Sequence, residues 1–389
     1  MQGIATTLNC CCGIDVHKDM IEACIISGID DAVIFRKQFS TFQSDLQEFV
    51  SWLYKNDCYH IAMESTGVYW IPVYEAIEDF SNYYEKILVV NAQHFKNLPG
   101  RKSDVQDAEW IATLLRHGLL KGSFVPPRDI RDMRELSREY KSCKSEEVRC
   151  KNRIEKFLQH HGFKLSSVLS DITGASGMRI LHTLALKGCL NIYDVSAALR
   201  GHTKHTSHEI LLAVCGRLNS IECFLLGDYL SELEHIRGRS DKLVSKMKEI
   251  AEPYSEQIEQ MCSIPGIDTV SSLLILAEIG ADLESNFKTP GHLSAWAGLK
   301  PRNDESAKMF KSRKILPGNP YLKSILVQTA WAAVASRKSS FHDWFWSRQA
   351  RLGKKKAIIA VSRKILVLIY VLVVRGELYN PDVAFARKI

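Results

Sequence analysis

The first 120 residues alternate between short apolar runs and amphipathic stretches. Residues 13–16, 21–26 and 32–35 are three short apolar runs of strand type, set close together. An amphipathic segment at 42–53 predicts a helix, 60–63 a strand, 69–77 a helix after a glycine-containing turn, and 86–90 a further strand. A helix then carries Asp104 and Asp107 on through Ala108-Glu-Trp-Ile-Ala-Thr-Leu-Leu.

Val125-Pro126-Pro127 closes this region as a stiff linker. Beyond it Met133, Leu136, Tyr140, Cys143, Glu147, Cys150, Ile154 and Phe157 alternate at three- and four-residue spacing, with one polar break at Glu147. That is the seam of a coiled coil or helical hairpin. A second long helix is predicted over 209–247, and the two would form a protruding arm that self-associates or pairs within the chain. Ser263-Ile-Pro-Gly-Ile-Asp-Thr-Val, followed by an apolar helix, has the form of a helix-hairpin-helix whose second helix offers N–H groups to a phosphate; an ordinary core helix pair has the same pattern. The stretch 357–374 is nearly all apolar, yet Arg363 and Lys364 stand at its centre. Charges at a bilayer centre cost about 2.5–3.5 kcal/mol each on insertion scales, so a buried helix is expected rather than a membrane span. Three regions are therefore expected: 1–128, 129–255 and 256–389.

Charge sharpens this division. The net +7 conceals a segment, 300–389, with 19 Lys and Arg against 5 Asp and Glu; the rest of the chain carries −7. A basic C-terminal part on a mildly acidic body points to a polyanionic partner. The eleven cysteines include no Cys-x-x-Cys pair, and no signal peptide is recognisable, so free thiols in a cytoplasmic protein are expected.

The candidate chemistry lies in four acidic residues. Asp15 and Glu64 end strand-like runs, and Asp104 and Asp107 share a helix face. Two strand-end carboxylates facing a helical pair suit hard divalent cations, and paired cations about 3.5–4 Å apart clamp the attacking and leaving oxygens of a phosphodiester. An acidic strand end is also common in any α/β protein. His202, His205 and His208 have ligand-like spacing, but no cysteine or acid completes a set, and solvated histidines are expected. Ser306 lies in a loop with Arg302, Lys308, Lys311, Arg313 and Lys314; taken alone it reads as an ordinary solvated serine.

Strand, strand, strand, helix, strand, helix, strand, helix is the order of a ribonuclease-H-like sheet, with Asp15 in the place of that fold's central-strand aspartate. Gly13-Ile-Asp-Val-His-Lys, Met63-Glu-Ser-Thr-Gly-Val-Tyr-Trp and the long block from Val90 to Trp110 closely resemble the N-terminal domain of the DEDD transposases of the insertion-sequence one-ten family, relatives of the Piv/MooV DNA invertases. Ile264-Pro-Gly-Ile, Ala295-Trp-Ala-Gly-Leu-Lys-Pro and Gly318-Asn-Pro-Tyr-Leu resemble the family's C-terminal domain, and the likeness runs from about 12 to 375.

The resemblance implies an α/β plus α chain: a RuvC-like mixed-sheet domain, a coiled-coil arm and a mainly helical transposase domain. It implies Mg²⁺, as two ions, on Asp15, Glu64, Asp104 and Asp107, and Ser306 as the nucleophile that becomes joined to a DNA end. Lys102, Arg302, Lys308, Lys311, Arg313 and Lys314 are expected on nucleic acid. Donor and target DNA, a guide RNA encoded beside the gene and further copies of the chain, as dimer or tetramer, are the implied partners. Ala307 stands where the family usually has glycine, and Asp304 and Glu305 where neutral or basic residues are common. A RuvC-like nuclease that resolves branched DNA, or an inactive nucleic-acid-binding relative, are the alternative readings.

Overall fold

The structure is a computed structural model that describes residues 8–29, 31–65, 67–79, 86–91, 104–201, 204–300, 304–306, 309–312 and 318–386. The chain divides into two compact units, Met1–Val125 and Pro126–Ile389.

The first unit holds strands β1 (Cys10–Val16), β2 (Met20–Ser27), β3 (Val33–Ser40), β4 (His60–Glu64) and β5 (Lys86–Val90), with helices α1 (Gln43–Lys55), α2 (Trp70–Glu78) and α3 (Asp104–Arg116). The sheet order is β3-β2-β1-β4-β5. β1, β2 and β3 form an antiparallel meander, whereas β1, β4 and β5 run parallel. This mixed sheet is compatible with a RuvC-like domain.

Strand alternation sends β1 side chains to two different cores. Cys12, Ile14 and Val16 join Leu46, Phe49 and Leu53 of α1 and Val73 and Ile77 of α2. Cys11 joins Ala62 and the α3 residues Ala108, Ile111, Ala112 and Leu115. With both faces covered, β1 reads as an almost unbroken apolar run. Gly13 is required on the α3 side: an added Cβ would lie 2.2 Å from the Ala108 carbonyl oxygen and 2.3 Å from the Ala112 nitrogen.

The second unit opens with α4 (Arg128–His160), α5 (Leu165–Val168), α6 (Ala175–Lys187), α7 (Ile192–Ala198), α8 (Ser207–Ala213) and α9 (Ser220–Ile250). It continues with α10 (Ser255–Cys262), α11 (Thr269–Ile279), α12 (Leu283–Asn286), α13 (Pro290–Trp296), the hairpin β6 (Asp304–Ser306) and β7 (Met309–Ser312), and α14 (Pro320–Ala335), α15 (Ser340–Leu352), α16 (Lys354–Arg375) and α17 (Pro381–Ala386). The helical arm and the C-terminal helices thus share one compact unit, where the sequence reading placed two regions. The base of α4 packs on α11, and Arg134 donates to the carbonyl oxygens of Ala277 and Glu278 at 3.1 and 2.8 Å.

From Cys143 to Phe157 the seam of α4 packs on the returning helix α9 in an antiparallel pair, whereas Leu136 and Tyr140 are half-buried. Arg153 meets Glu232, and Glu147, earlier on α4, meets Arg237, later on α9. The expected helix over 209–247 is instead two helices. Asn219 ends the intervening loop as an N-cap, and its capping box with Glu222 starts α9 afresh. Glu147 is buried yet paired with Lys144 at 2.8 Å, Lys151 at 3.0 Å and Arg237 at 3.1 Å.

α10 and α11 are two helices joined by a tight turn, and the turn serves packing. A Cβ on Gly266, at φ +90°, would lie 2.4 Å from the Thr329 carbonyl oxygen of α14. The Asp268 carboxylate accepts from Ser271 N at 2.7 Å, so a negative charge of the protein itself already caps α11. α16 is long and apolar enough to cross a membrane by length and composition, but it contacts α10, α13, α14 and α15, and Val361, Ile365, Leu366 and Ile369 are buried. Lys364 donates to the Ala384 carbonyl oxygen at 3.1 Å, which gives the charge in its middle a partner.

Candidate active site

Asp15 is two residues beyond Gly13 on β1 and therefore faces α3. Glu64 is two residues beyond Ala62, which packs against α3, so it shares that face. Because β1 and β4 are parallel with Ile14 opposite Met63, Asp15 and Glu64 follow as neighbours at the carboxyl ends of adjacent strands. The carboxyl ends of parallel strands are where open α/β sheets bind ligands. Both are buried, at 6% and 8% exposure. Asp107 precedes Ala108, the residue of α3 in closest approach to Gly13. Asp104 opens α3 one turn earlier, and its side chain lies outside the described residues.

Burial pushes the Asp15 carboxyl above its ordinary range. His17, whose Nε2 lies 3.1 Å from Asp15 Oδ2, opposes this, and the charges of Glu64 and Asp107 add to the rise. Three described carboxylates are thus coupled through repulsion. They are not yet gathered as a cage: among the described residues no three His, Cys, Asp or Glu are arranged to hold a metal ion. The donor set nevertheless fits a hard divalent cation, which takes carboxylate oxygens and offsets their mutual repulsion. His17 has no role in the sequence reading. Its signal was its place just past the end of β1, two residues from Asp15.

Ser306 ends β6, opposite Met309 on β7. Lys311 lies on β7; Lys102, Arg302, Lys308, Arg313, Lys314 and His202 fall outside the described residues. His205 Nδ1 lies 3.7 Å from Glu209 and His208 is exposed.

The two ends of the segment bearing Ser306 are pinned together, which the sequence reading missed. A Cβ on Gly318 would lie 2.2 Å from Gly298 N, and Asn319 N donates to the Trp296 carbonyl oxygen at 3.3 Å. Asn319 caps α14 and donates from its amide to Glu278 at 2.5 Å. Glu278 is fully buried, with Arg134 and Arg138 each at 3.6 Å. Residues of the Ala-Trp-Ala-Gly-Leu and Gly-Asn-Pro-Tyr-Leu motifs therefore meet on either side of the segment that bears Ser306.

A strand-end carboxylate corner on a mixed sheet is thus followed in the chain by a basic, mainly helical unit. The comparisons name the family. A transposase model of the DEDD type of IS110 matches residues 12–162, and the model described as "Transposase IS116/IS110/IS902 family" matches residues 258–345. Together they span more than half of the chain, and the protein belongs to this family of transposases and DNA recombinases. The pilin gene-inverting protein of Moraxella bovis is 24% identical over 385 residues, 95% of this chain and 98% of that protein. The transposase for insertion sequence element IS1111A of Coxiella burnetii is 24% identical over 382 residues, 95% of this chain and 90% of that protein. Membership makes this a DNA cleavage and transfer enzyme with DNA as its substrate.

Proposed function

We propose that this transposase recombines DNA with Mg²⁺ held by Asp15, Glu64, Asp104 and Asp107 and with Ser306 as nucleophile, guided by an RNA encoded beside its gene. The observation that carries the reading is the pairing of Asp15 with Glu64 at adjacent strand ends, with Asp107 close enough to shift the Asp15 carboxyl. Bound there, Mg²⁺ would polarise the scissile phosphate and lower the pKa of a nearby hydroxyl. Asp15, Glu64 and Asp107 fix where the cation charge sits, and His17 orients Asp15.

The Ser306 hydroxyl forms a bond to phosphorus as the scissile P–O bond breaks, and its proton ends on the released strand's hydroxyl. The phosphoester is conserved, so an incoming strand hydroxyl reverses the step and frees the serine. A hydrolytic nuclease needs no such serine; a recombinase must keep the broken end attached. The charge excess of +14 over 300–389 supports nucleic-acid partners, with binding that weakens steeply with salt. The active form is an oligomer.

The test is a mixing experiment with Ser306→Ala and Asp15→Asn subunits. Each variant alone should be inactive, and the mixture should recover recombination if subunits share active sites. A Ser306→Ala protein that still forms a covalent DNA adduct would remove Ser306 from the nucleophile's role. Metal-dependent cleavage without any adduct would instead favour the hydrolytic nuclease. Absence of an RNA encoded beside the gene from protein purified at low salt would remove the guide.

A further inference from the structure

A cavity of about 380 Å³ opens between α14, α15 and the start of α16, away from the β6–β7 hairpin in sequence. Its walls are aromatic. Trp331 meets Phe345 edge-on at 5.5 Å, Phe345 meets Trp346 edge-on at 5.5 Å, and His342 lies 6.1 Å from Trp346. Trp346 is 53% exposed, which is unusual for the largest apolar side chain. In the same wall the amide oxygen of Gln349 is buried with no hydrogen-bond partner among the described residues. A buried acceptor left unmatched carries a desolvation cost, and a ligand N–H would remove it.

The rim is cationic. Lys354 lies over the Trp331 ring at 5.1 Å, and Arg337 completes the lining. Between 337 and 356 the sequence has seven Lys and Arg against one acid, Asp343, a net +6 of the +14 carried by 300–389. Arg337, Lys338, Arg351, Lys355 and Lys356 are exposed. Aromatic faces inside with cations outside match a nucleotide, whose base is flat and apolar on its faces and whose phosphate is anionic.

We propose that this cavity receives one unpaired nucleobase of a DNA strand, stacked on Trp346, with its edge donating to Gln349 and the neighbouring phosphates on Arg337 and Lys354–Lys356. The inference rests on DNA being the substrate, and it adds a site that duplex binding does not require. Strand exchange leaves bases transiently unstacked, and a pocket that captures one holds the displaced strand without reading its sequence.

The probe is a labelled 12-nucleotide dT strand, read by fluorescence anisotropy beside a blunt duplex, an abasic strand of equal charge and an rU strand. Trp346→Ala should weaken dT binding by between about fivefold and a hundredfold, Trp346→Phe should largely restore it, and duplex binding should stay unchanged. The wild type should bind the abasic strand as weakly as Trp346→Ala binds dT. Equal affinity of Trp346→Ala and wild type for dT would overturn the proposal, as would wild-type binding that ignores loss of the bases. Tighter Trp346-dependent binding of rU than of dT would overturn the assignment to DNA. Failure of the wild type to bind even the duplex would instead sink the reading of DNA as substrate. Thermal melting separates a folding defect from a binding one, and the exposure of Trp346 predicts an unchanged melting temperature.

Discussion

Asp15 and Glu147 are both buried carboxylates, and their surroundings drive them in opposite directions. Around Glu147, burial raises the pKa, but hydrogen bonds from Lys144, Lys151 and Arg237 outweigh it and hold the group at about 2. Around Asp15, burial is joined by two further acids, and among the described residues His17 opposes them. Two of the cations on Glu147 come from its own helix, at i−3 and i+4, and the third from α9. Glu147 is a solved structural problem: a charge in an apolar seam made tolerable by its partners. Among the described residues Asp15 has no such cationic partners beyond His17, as expected where a site keeps negative charge for a ligand.

The largest break of this comparison is Asp15→Asn. Recombination should fall by roughly 10²–10³-fold or more. A raised carboxyl disfavours the folded state once pH exceeds the ordinary Asp range, and that cost disappears as pH falls below it. The metal-free variant at neutral pH should therefore melt no lower than wild type. Mg²⁺ should raise the wild-type melting temperature and leave Asp15→Asn unmoved. Equal shifts in both would remove Asp15 from the metal site.

Gly13→Ala tests whether the corner depends on the approach of α3. The new Cβ meets backbone atoms, which do not yield, so about 1–3 kcal/mol of stability should be lost. Activity should fall with it because Asp107 moves with the helix. Unchanged melting and activity would show that α3 tolerates displacement.

Glu147→Gln addresses the other carboxylate. Its cations reach water, so the cost should be about 1–2 kcal/mol, below that of a fully buried pair. With a folded value of about 2 against an ordinary 4.5, the wild-type ion-pair contribution is complete above pH 4.5 and fades as pH falls toward 2. The stability gap between wild type and Glu147→Gln should close over that window in acid melts. A gap that persists at pH 2 would mean that packing, not charge, dominates.

Asn219→Ala is the smallest change. Loss of the cap should cost about 1 kcal/mol, visible in denaturant melts. No loss would show that the break between α8 and α9 is imposed by packing alone.

Much of this was legible in the sequence because local rules govern it. All eight elements of the first unit follow from short apolar runs and amphipathic stretches, and the family motifs fall on the strand ends bearing Asp15 and Glu64. The heptad of α4 marked its buried face, because seam spacing is fixed by helix geometry whatever the partner. The break at Cys215–Asn219 was legible in principle, since Asn219 and Glu222 have capping-box spacing, but the amphipathic pattern runs across it.

Tertiary structure alone decided the rest. The seam's partner is α9 of the same chain, a choice that spacing leaves open. The hairpin at Pro265-Gly266 packs into α14, a long-range contact that no local motif encodes. The cluster of Trp331, His342, Phe345 and Trp346 needs two helices to converge. Sequence set the type of each residue and the face it occupies, because bond geometry is local. Which faces meet, and whether a buried charge finds cations as Glu147 does or acids as Asp15 does, is settled only when distant segments are brought together.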